Sequence, residues 1–286
     1  MKLNIGIVGN GFVGQATSLF ETENTNVIIY DIDPSKCKPQ CITLENFILC
    51  DLIFICVPTP MEPSGKCHTS IVENIVKKLK TIVDVKKTQI VIRSTVPAGT
   101  AHSLDCFFMP EFLTEKNWKT DFQNCNTWIF GLTKNQENND IFISNIQKLI
   151  KNAFDYNKIQ YNSVVFINSD EAEMIKYFRN TFLAVKVSYC NEIEEFCRKK
   201  GIDYEKVKNI ASLDHRITRN HTNVPGHDGK RGYGGTCFPK DIQSLHYQMQ
   251  EVNMKSFMIK SSIERNETID RVEKDWETNK GRSVIK

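Results

Sequence analysis

Lys2-Leu3-Asn4-Ile5-Gly6-Ile7-Val8-Gly9-Asn10-Gly11-Phe12-Val13-Gly14 stands at the head of the sequence and decides the fold class. Lys2–Val8 is an apolar, β-branched run that reads as a buried strand and stops at a glycine. Gly11 to about Glu21 carries helical spacing, with Phe12, Val13, Ala16 and Phe20 apolar. Strand, glycine turn and helix in that order give the G-x-G-x-x-G at 9–14 a physical meaning. The first glycine makes the tight turn, the second admits a pyrophosphate, and the third lets the helix close on the strand. Free N–H groups and the dipole at the helix start hold phosphate. Val27–Tyr30 reads as a second strand ending at Asp31, seventeen residues after Gly14. A carboxylate there accepts from a ribose 2′-hydroxyl and repels a 2′-phosphate, which points to NAD rather than NADP.

Working outward, Leu52–Val57, Gln89–Ile92 and Trp128–Phe130 are further strand candidates, and the stretch between Thr69 and Val85 reads as helix. This alternation implies βαβ units and a parallel sheet, the doubly wound α/β class of Rossmann type. From Asp170 the texture changes. Ser169 and three acidic residues open a run without Pro or Gly that closes on Arg198, Lys199, Lys200 and Gly201. These are helix start and stop signals, and one helix of this length would run roughly 45 Å. A second helix is expected over Asp203–Ile217, a loop over His221–Cys237, and helix again from Phe238. Ile263–Glu277 reads as a charged amphipathic stretch. The expected division is therefore a Rossmann domain over 1–166 and an all-helical domain over 167–286.

Composition narrows the function class. At about 150 residues per domain, 286 residues suit two domains, and 40% hydrophobic with 25% charged residues is ordinary globular composition. Lys and Arg number 37 against 34 Asp and Glu, too even a balance to attract nucleic acid or an anionic membrane. No apolar run approaches the roughly 20 residues of a membrane span. The early glycines and the immediate strand argue against a secretory leader. Ten cysteines lie without framework spacing, which suits reduced thiols in the cytoplasm. Cys37 and Cys41 lack the second pair a zinc site needs, so no metal is expected.

Gly232-Tyr233-Gly234-Gly235-Thr236-Cys237-Phe238-Pro239-Lys240-Asp241 is the chemically richest stretch. Three glycines let backbone and a bulky ligand come together. A cysteine follows, then a cation and a carboxylate. A thiol of ordinary pKa about 8.5 becomes a nucleophile when a positive charge or helix N-terminus favours its thiolate. On residue type alone, a buried structural cysteine beside a glycine turn fits equally well.

The same ten residues closely resemble the nucleophile motif of the UDP-glucose/GDP-mannose dehydrogenase family, and other segments follow in the family's order. Cys56-Val57-Pro58-Thr59-Pro60 resembles its V-P-T-P segment, Ser94–Thr100 its S-T-V-P-x-G-T segment, and Pro110-Glu111-Phe112-Leu113 its N-P-E-F-L segment. Lys176 and Asn180, with Thr181–Ala184, match the helix that carries a catalytic Lys and Asn. Asp214–Ile217 resembles the D-x-R-I element that reaches substrate from a dimer partner.

The resemblance implies NAD-dependent, four-electron oxidation of a nucleotide sugar CH2OH to a carboxylate, UDP-glucose to UDP-glucuronate first among candidates. GDP-mannose or a UDP-N-acetylhexosamine is the alternative. It implies Cys237 as covalent nucleophile and Lys176 as donor to the reacting oxygen, with Asn180 donating to the same oxygen or to the attacking water. Asp241 and Thr95 would place water, with Glu111 as general base. Gly9, Gly11, Phe12, Val13, Gly14, Asp31, Lys36, Thr59, Thr95, Glu115 and Lys240 fall on NAD-contacting positions. Glu111, Phe112, Leu113, Thr114, Glu115, Lys176, Asn180, Arg216, Gly226, His227, Asp228, Gly229, Lys230 and Gly234 fall on substrate positions. A homodimer through the helical domain is implied as well.

Met109 and Lys116 depart from the family's Asn and Gly, beside substrate positions. Family members usually continue into a second Rossmann-like domain that contacts UDP, and this sequence reaches Lys286 at about the point where that domain begins. Two other readings compete: a two-electron hydroxyacid dehydrogenase on the same plan, and an NAD-binding module without turnover. Singly, Lys176 also reads as a solvated helix lysine, Glu111 as a cap and Arg216 as a surface ion pair.

Overall fold

The computed structural model describes residues 2–285. Its contacts divide the chain into two compact units. One runs to Thr59 and resumes over Thr69–Lys176; the other joins Pro60–His68 to everything from Tyr177 onward. The expected division at 166/167 thus differs from the observed one, because the first turns of the long helix pack with the sheet and a nine-residue loop leaves it.

The first unit holds β1 (Leu3–Val8), α1 (Phe12–Ser18), β2 (Thr25–Tyr30), β3 (Leu52–Ile55), α2 (Ser70–Ile82), β4 (Gln89–Ile92), α3 (Thr100–Ser103), β5 (Phe107–Phe108), α4 (Trp118–Gln123), β6 (Trp128–Leu132), α5 (Gln136–Asp155) and β7 (Val164–Asn168). The seven strands lie in the order β2-β1-β3-β4-β5-β6-β7. All neighbours are parallel except β5 and β6, which meet antiparallel at Phe108 and Gly131. Alternate residues face opposite sides of the sheet: Leu3, Ile5, Ile7, Leu52 and Phe54 enter one core, Val8, Ile53 and Ile55 the other. Both faces are therefore buried, as a doubly wound sheet requires. The strand order reverses at β1, and ligands of such sheets bind where strand ends diverge in this way.

The long helix α6 runs Ser169–Lys200, with Asp170 and Glu171 in its first turn and three cations in its last. It ends in a Schellman closure. The N–H of Ile202 donates to the carbonyl of Cys197, and that of Gly201 to Arg198. The second unit continues with α7 (Tyr204–Ala211), α8 (Phe238–Glu251) and α9 (Phe257–Arg265). Among its core residues, Ala184, Tyr233, Ile242 and Ile263 pack together. His221–Cys237 contains no helix or strand.

Two expectations need correction here. The helix expected over Asp203–Ile217 stops at Ala211, since the Asp214 carboxylate turns back to accept from the Arg216 N–H, a local bond that competes with helix. The amphipathic stretch Ile263–Glu277 is not one helix. It passes from α9 through a π-helical turn at Asn266–Asp270 and a left-handed Lys274 to a 3-10 turn at Asp275–Thr278.

Candidate active site

In the first unit, the loop after β1 has the shape its glycines demand. Gly9 sits at φ +95°, and a β-carbon there would stand 2.6 Å from the Cys56 carbonyl oxygen. A β-carbon on Gly14 would overlap the Gly9 carbonyl, whereas at Gly11, the N-cap of α1, it would meet open space. The loop is thus sealed against the sheet and open outward at the residue a pyrophosphate would approach. Asp31 directly follows β2; its Oδ2 accepts from Asn10 N of the glycine loop at 2.6 Å and its Oδ1 from Asp33 N in its own turn at 2.9 Å. Asn10 Nδ2 donates to the Lys36 carbonyl at 2.6 Å. The Thr59 hydroxyl donates to the buried Thr95 carbonyl at 2.6 Å. These residues fit a dinucleotide. Gly11, Phe12 and Val13 would hold the phosphates and Asp31 a ribose.

Asp31→Ala should weaken NAD about 10- to 100-fold, because a hydrogen bond to a charged group is worth about 1.5–3 kcal/mol, and should narrow the gap to NADP. Calorimetry with both nucleotides reads it; an unchanged preference would remove Asp31 from the ribose.

Glu111 follows β5 and is buried, and Lys176 on α6 is buried with it. Lys176 Nζ donates to Glu111 Oε1 at 2.7 Å and to the Glu111 carbonyl at 2.8 Å, while Glu111 Oε2 accepts from Leu113 N at 2.8 Å. Neither plain reading holds: the lysine side chain is 4% exposed and the glutamate side chain 5%. Met109 points inward, its sulfur accepting from the buried Arg93 guanidinium, which also lies over Phe122. That is how a thioether is accommodated at the departed position. Lys116 is exposed.

Glu173, one of the acids at the start of α6, does more than favour the helix dipole. Glu173 is fully buried, and its two oxygens accept from Gly99 N at 2.6 Å and Ala101 N at 2.7 Å. It ties the Ser94–Thr100 segment to the helix that carries Lys176. The E-x-x-K spacing was the available signal. Burial pushes its carboxyl up to about 8, against the pull of those N–H donors and with a push from Asp170. Unfolded, the same group titrates near 4.5. Folding therefore takes up a proton between these values, and stability falls as pH rises through that window. Glu173→Gln should flatten the decline in melting temperature between pH 5 and 8. A decline as steep as the wild type's would show that Glu173 does not titrate there.

In the second unit, Cys237 is the N-cap residue of α8, with Pro239 in the first turn. A helix N-terminus favours thiolate. Lys240 follows one turn later, and its Nζ contacts Asp241 Oδ1 at 2.5 Å. Asp241 Oδ2 accepts from Asn180 Nδ2 at 2.6 Å. Burial opposes the Lys240 charge, but Asp241 and the thiols of Cys67 and Cys237 more than restore it, raising its pKa. The cation beside Cys237 is thus fixed in charge and place. Three of the other thiols are silenced: burial pushes Cys56 up to about 11 and Cys50 and Cys106 up to about 12.

Thr114 N–H and hydroxyl both donate to Asp121, and Glu115 is exposed. Arg216 is exposed and bonded to Asp214 within its own turn. Gly226–Lys230 forms a tight turn, closed by Gly226 N to the Lys230 carbonyl at 2.8 Å. His227 is exposed, and Asp228 is held by Arg271. Among the described residues no cluster of three metal-ligating side chains occurs, and no helix is long and apolar enough to cross a membrane.

Comparison with known proteins bears on this arrangement. The NAD binding domain of the UDP-glucose/GDP-mannose dehydrogenase family matches residues 42–153, and that family's central domain matches 170–268. A UDP-glucose 6-dehydrogenase of Campylobacter jejuni is 30% identical, over 93% of this chain and 72% of its own. The chain belongs to the UDP-glucose/GDP-mannose dehydrogenase family. UDP-glucose 6-dehydrogenase TuaD of Bacillus subtilis is 29% identical over 92% of the chain, which spans 62% of TuaD's length. A UDP-glucose dehydrogenase structure from Pyrobaculum islandicum superimposes with a TM-score of 0.78 at 22% identity, covering 93% of this chain and 68% of that one. As in other dehydrogenases of the family, the cofactor of the amino-terminal domain is NAD.

Proposed function

We propose that the chain carries the machinery for four-electron oxidation of a nucleotide sugar's C6 alcohol to a carboxylate, with UDP-glucose giving UDP-glucuronate. The observation that carries this reading is Cys237 at the start of α8, beside Lys240 and the Asp241–Asn180 pair. A two-electron alcohol oxidation has no use for that sulfur.

When bound, NAD+ accepts a hydride in each of the two oxidations. The chain's own residues do the rest. Lys176, pinned by Glu111, stabilises the oxygen of the alcohol as it becomes alkoxide-like. Cys237 sulfur then adds to the aldehyde carbon; the C–S bond forms, and the carbonyl electron pair moves to oxygen, which takes a proton. This thiohemiacetal is the species oxidised to a thioester. Water adds to the thioester carbon with Glu111 as general base, the C–S bond breaks, and thiolate leaves as the acid forms. Asp241 and Asn180 hold the attacking water. One water is consumed, and two NADH and three protons are released.

The test is NADH per sugar oxidised, run across UDP-glucose, GDP-mannose and UDP-N-acetylhexosamines. Two NADH and an acid support the reading. One NADH with an aldehyde or ketone sinks it, and NAD binding without NADH from any sugar leaves a binding module. The best substrate in that panel decides the sugar.

A homodimer belongs to the same reading. Phe178, Phe182, Tyr189 and Phe196 on α6, with Ile210 and Leu213 at the end of α7, are exposed large apolar side chains. A patch of this kind marks an interface, and Arg216, exposed beside it in sequence, would serve the partner's substrate. Light scattering should give twice the 32.9 kDa chain mass.

A further inference from the structure

The Gly226–Cys237 loop has no secondary structure to hold it, so something else must fix where Cys237 stands. Arg231 and Gly232 are tied to Glu194 and Asn191 on α6, and a side chain that grips the loop at several points lies beyond the matched central domain, in the segment after α9. Arg271 is buried, its side chain 2% exposed. Its Nε and Nη2 grip Asp275 as a fork, at 3.2 and 2.7 Å. Nη2 also donates to Asp228 Oδ2 at 2.5 Å and Nη1 to the Arg231 carbonyl at 3.1 Å. Four hydrogen bonds thus use most of the guanidinium's five donors, two of them on the loop. The loop's own backbone lies against the same group: a β-carbon on Gly234 would overlap the Arg271 guanidinium and come within 2.6 Å of Asp275 Oδ1. Asn266 completes the clamp, taking the Tyr233 N–H at 2.8 Å and returning a bond to its carbonyl at 2.9 Å.

We propose that Arg271 is a positioning residue for Cys237, setting the path of the 226–237 loop and so the place of the sulfur at the start of α8. Asp228, expected to touch substrate, serves in the same clamp. The assignment deepens the function proposed above and rests on it for the role of the sulfur. Lysine cannot replace this side chain, since one ammonium cannot span Asp228, Asp275 and a carbonyl as a planar fork does.

The test uses the full chain with Arg271→Met, Arg271→Lys and Asp228→Asn. Two readouts need no substrate: the alkylation rate of Cys237 by iodoacetamide at pH 7, followed on its own peptide, and amide exchange across 226–236. In variants that still unfold cooperatively, alkylation should slow about fivefold as the sulfur loses its helix terminus and Lys240, and loop exchange should quicken. With UDP-glucose and NAD, Arg271→Met should lower kcat about 10²-fold, the usual effect of misplacing a reacting group, with KM changed less than about threefold. Arg271→Lys should fall between. A purely structural role would lower the melting temperature and leave the alkylation rate of the folded protein untouched; that result overturns the proposal. So does loss of cooperative unfolding in all three variants, which would make Arg271 a residue of the fold alone. Should the wild type make no acid from any nucleotide sugar, the proposed function fails, while alkylation and exchange still decide Arg271.

Discussion

Cys237→Ser should cut acid production by about 10⁴ or more, approaching the roughly 10⁶ that loss of a covalent nucleophile costs an enzyme. The reason is specific to the second oxidation. An aldehyde has no alkoxide from which a hydride can leave until a nucleophile adds to it. A serine hydroxyl is a far weaker acid than a thiol, so the same helix terminus leaves it a poor nucleophile. The first oxidation needs no sulfur, so a single turnover should still release one NADH per sugar and stall at the aldehyde. Quenched reactions of the wild type should carry a sugar adduct on the Cys237 peptide by mass spectrometry. Acid formed by the variant at the wild-type rate would end the covalent mechanism.

Lys176→Ala should be damaging in two separable ways. Chemically it removes the donor that the proposed mechanism assigns to the reacting oxygen, and deletion of such a donor costs about 10²–10³ in kcat. Physically it strands the Glu111 carboxylate, buried and without its ion partner, which costs about 3–5 kcal/mol of stability. The double variant Lys176→Ala/Glu111→Gln separates the two. Removing both charges should return much of the stability in urea unfolding, while activity stays lost. If the double variant is no more stable than the single one, the pair at 2.7 Å contributes little to the fold, and the burial argument is wrong.

The parts of this fold that could be read from sequence are those with strong local signals. Leu3–Val8 with its glycine turn, and the run from Ser169 to Gly201, announce themselves by pattern, start and stop. What escaped has physical reasons. β5 is two residues long and exists only because neighbours pair with it. β7 is a half-exposed edge strand whose apolar run, 164–167, is short and shows no alternation between its two faces. α5 is a full 20-residue helix, but its asparagine-rich start weakened the local propensity, and burial of Phe142, Ile146, Leu149 and Ile150 overrode it. The stretch after Arg265 has helical composition, yet Asn266 and Arg271 are taken by the cysteine loop, and the helix gives way to tertiary contacts.

The site divides along the same line. The glycine motif, Asp31 and Cys237 carry their chemistry in local spacing. The Lys176–Glu111 pair, the Asn180–Asp241 bond and the Arg271 clamp join residues 65, 61 and 43 positions apart. No periodicity records such partnerships. Glu173 was visible as a residue but not as a bridge, because its partners are backbone N–H groups that every residue but proline offers.

Pro60–His68 has a practical consequence for anyone dissecting this protein. The polypeptide passes from one body to the other after Thr59, back after His68, and over again after Lys176. In the second body Met61 exchanges backbone bonds with Ser283 and Ile285. No single cleavage point yields two intact halves: a fragment ending near 166 keeps a loop whose mates are gone, and the complementary fragment loses the strand-like partner of its own tail. Either piece alone should therefore be prone to proteolysis at those orphaned ends, whereas both, co-expressed, have the means to reassemble.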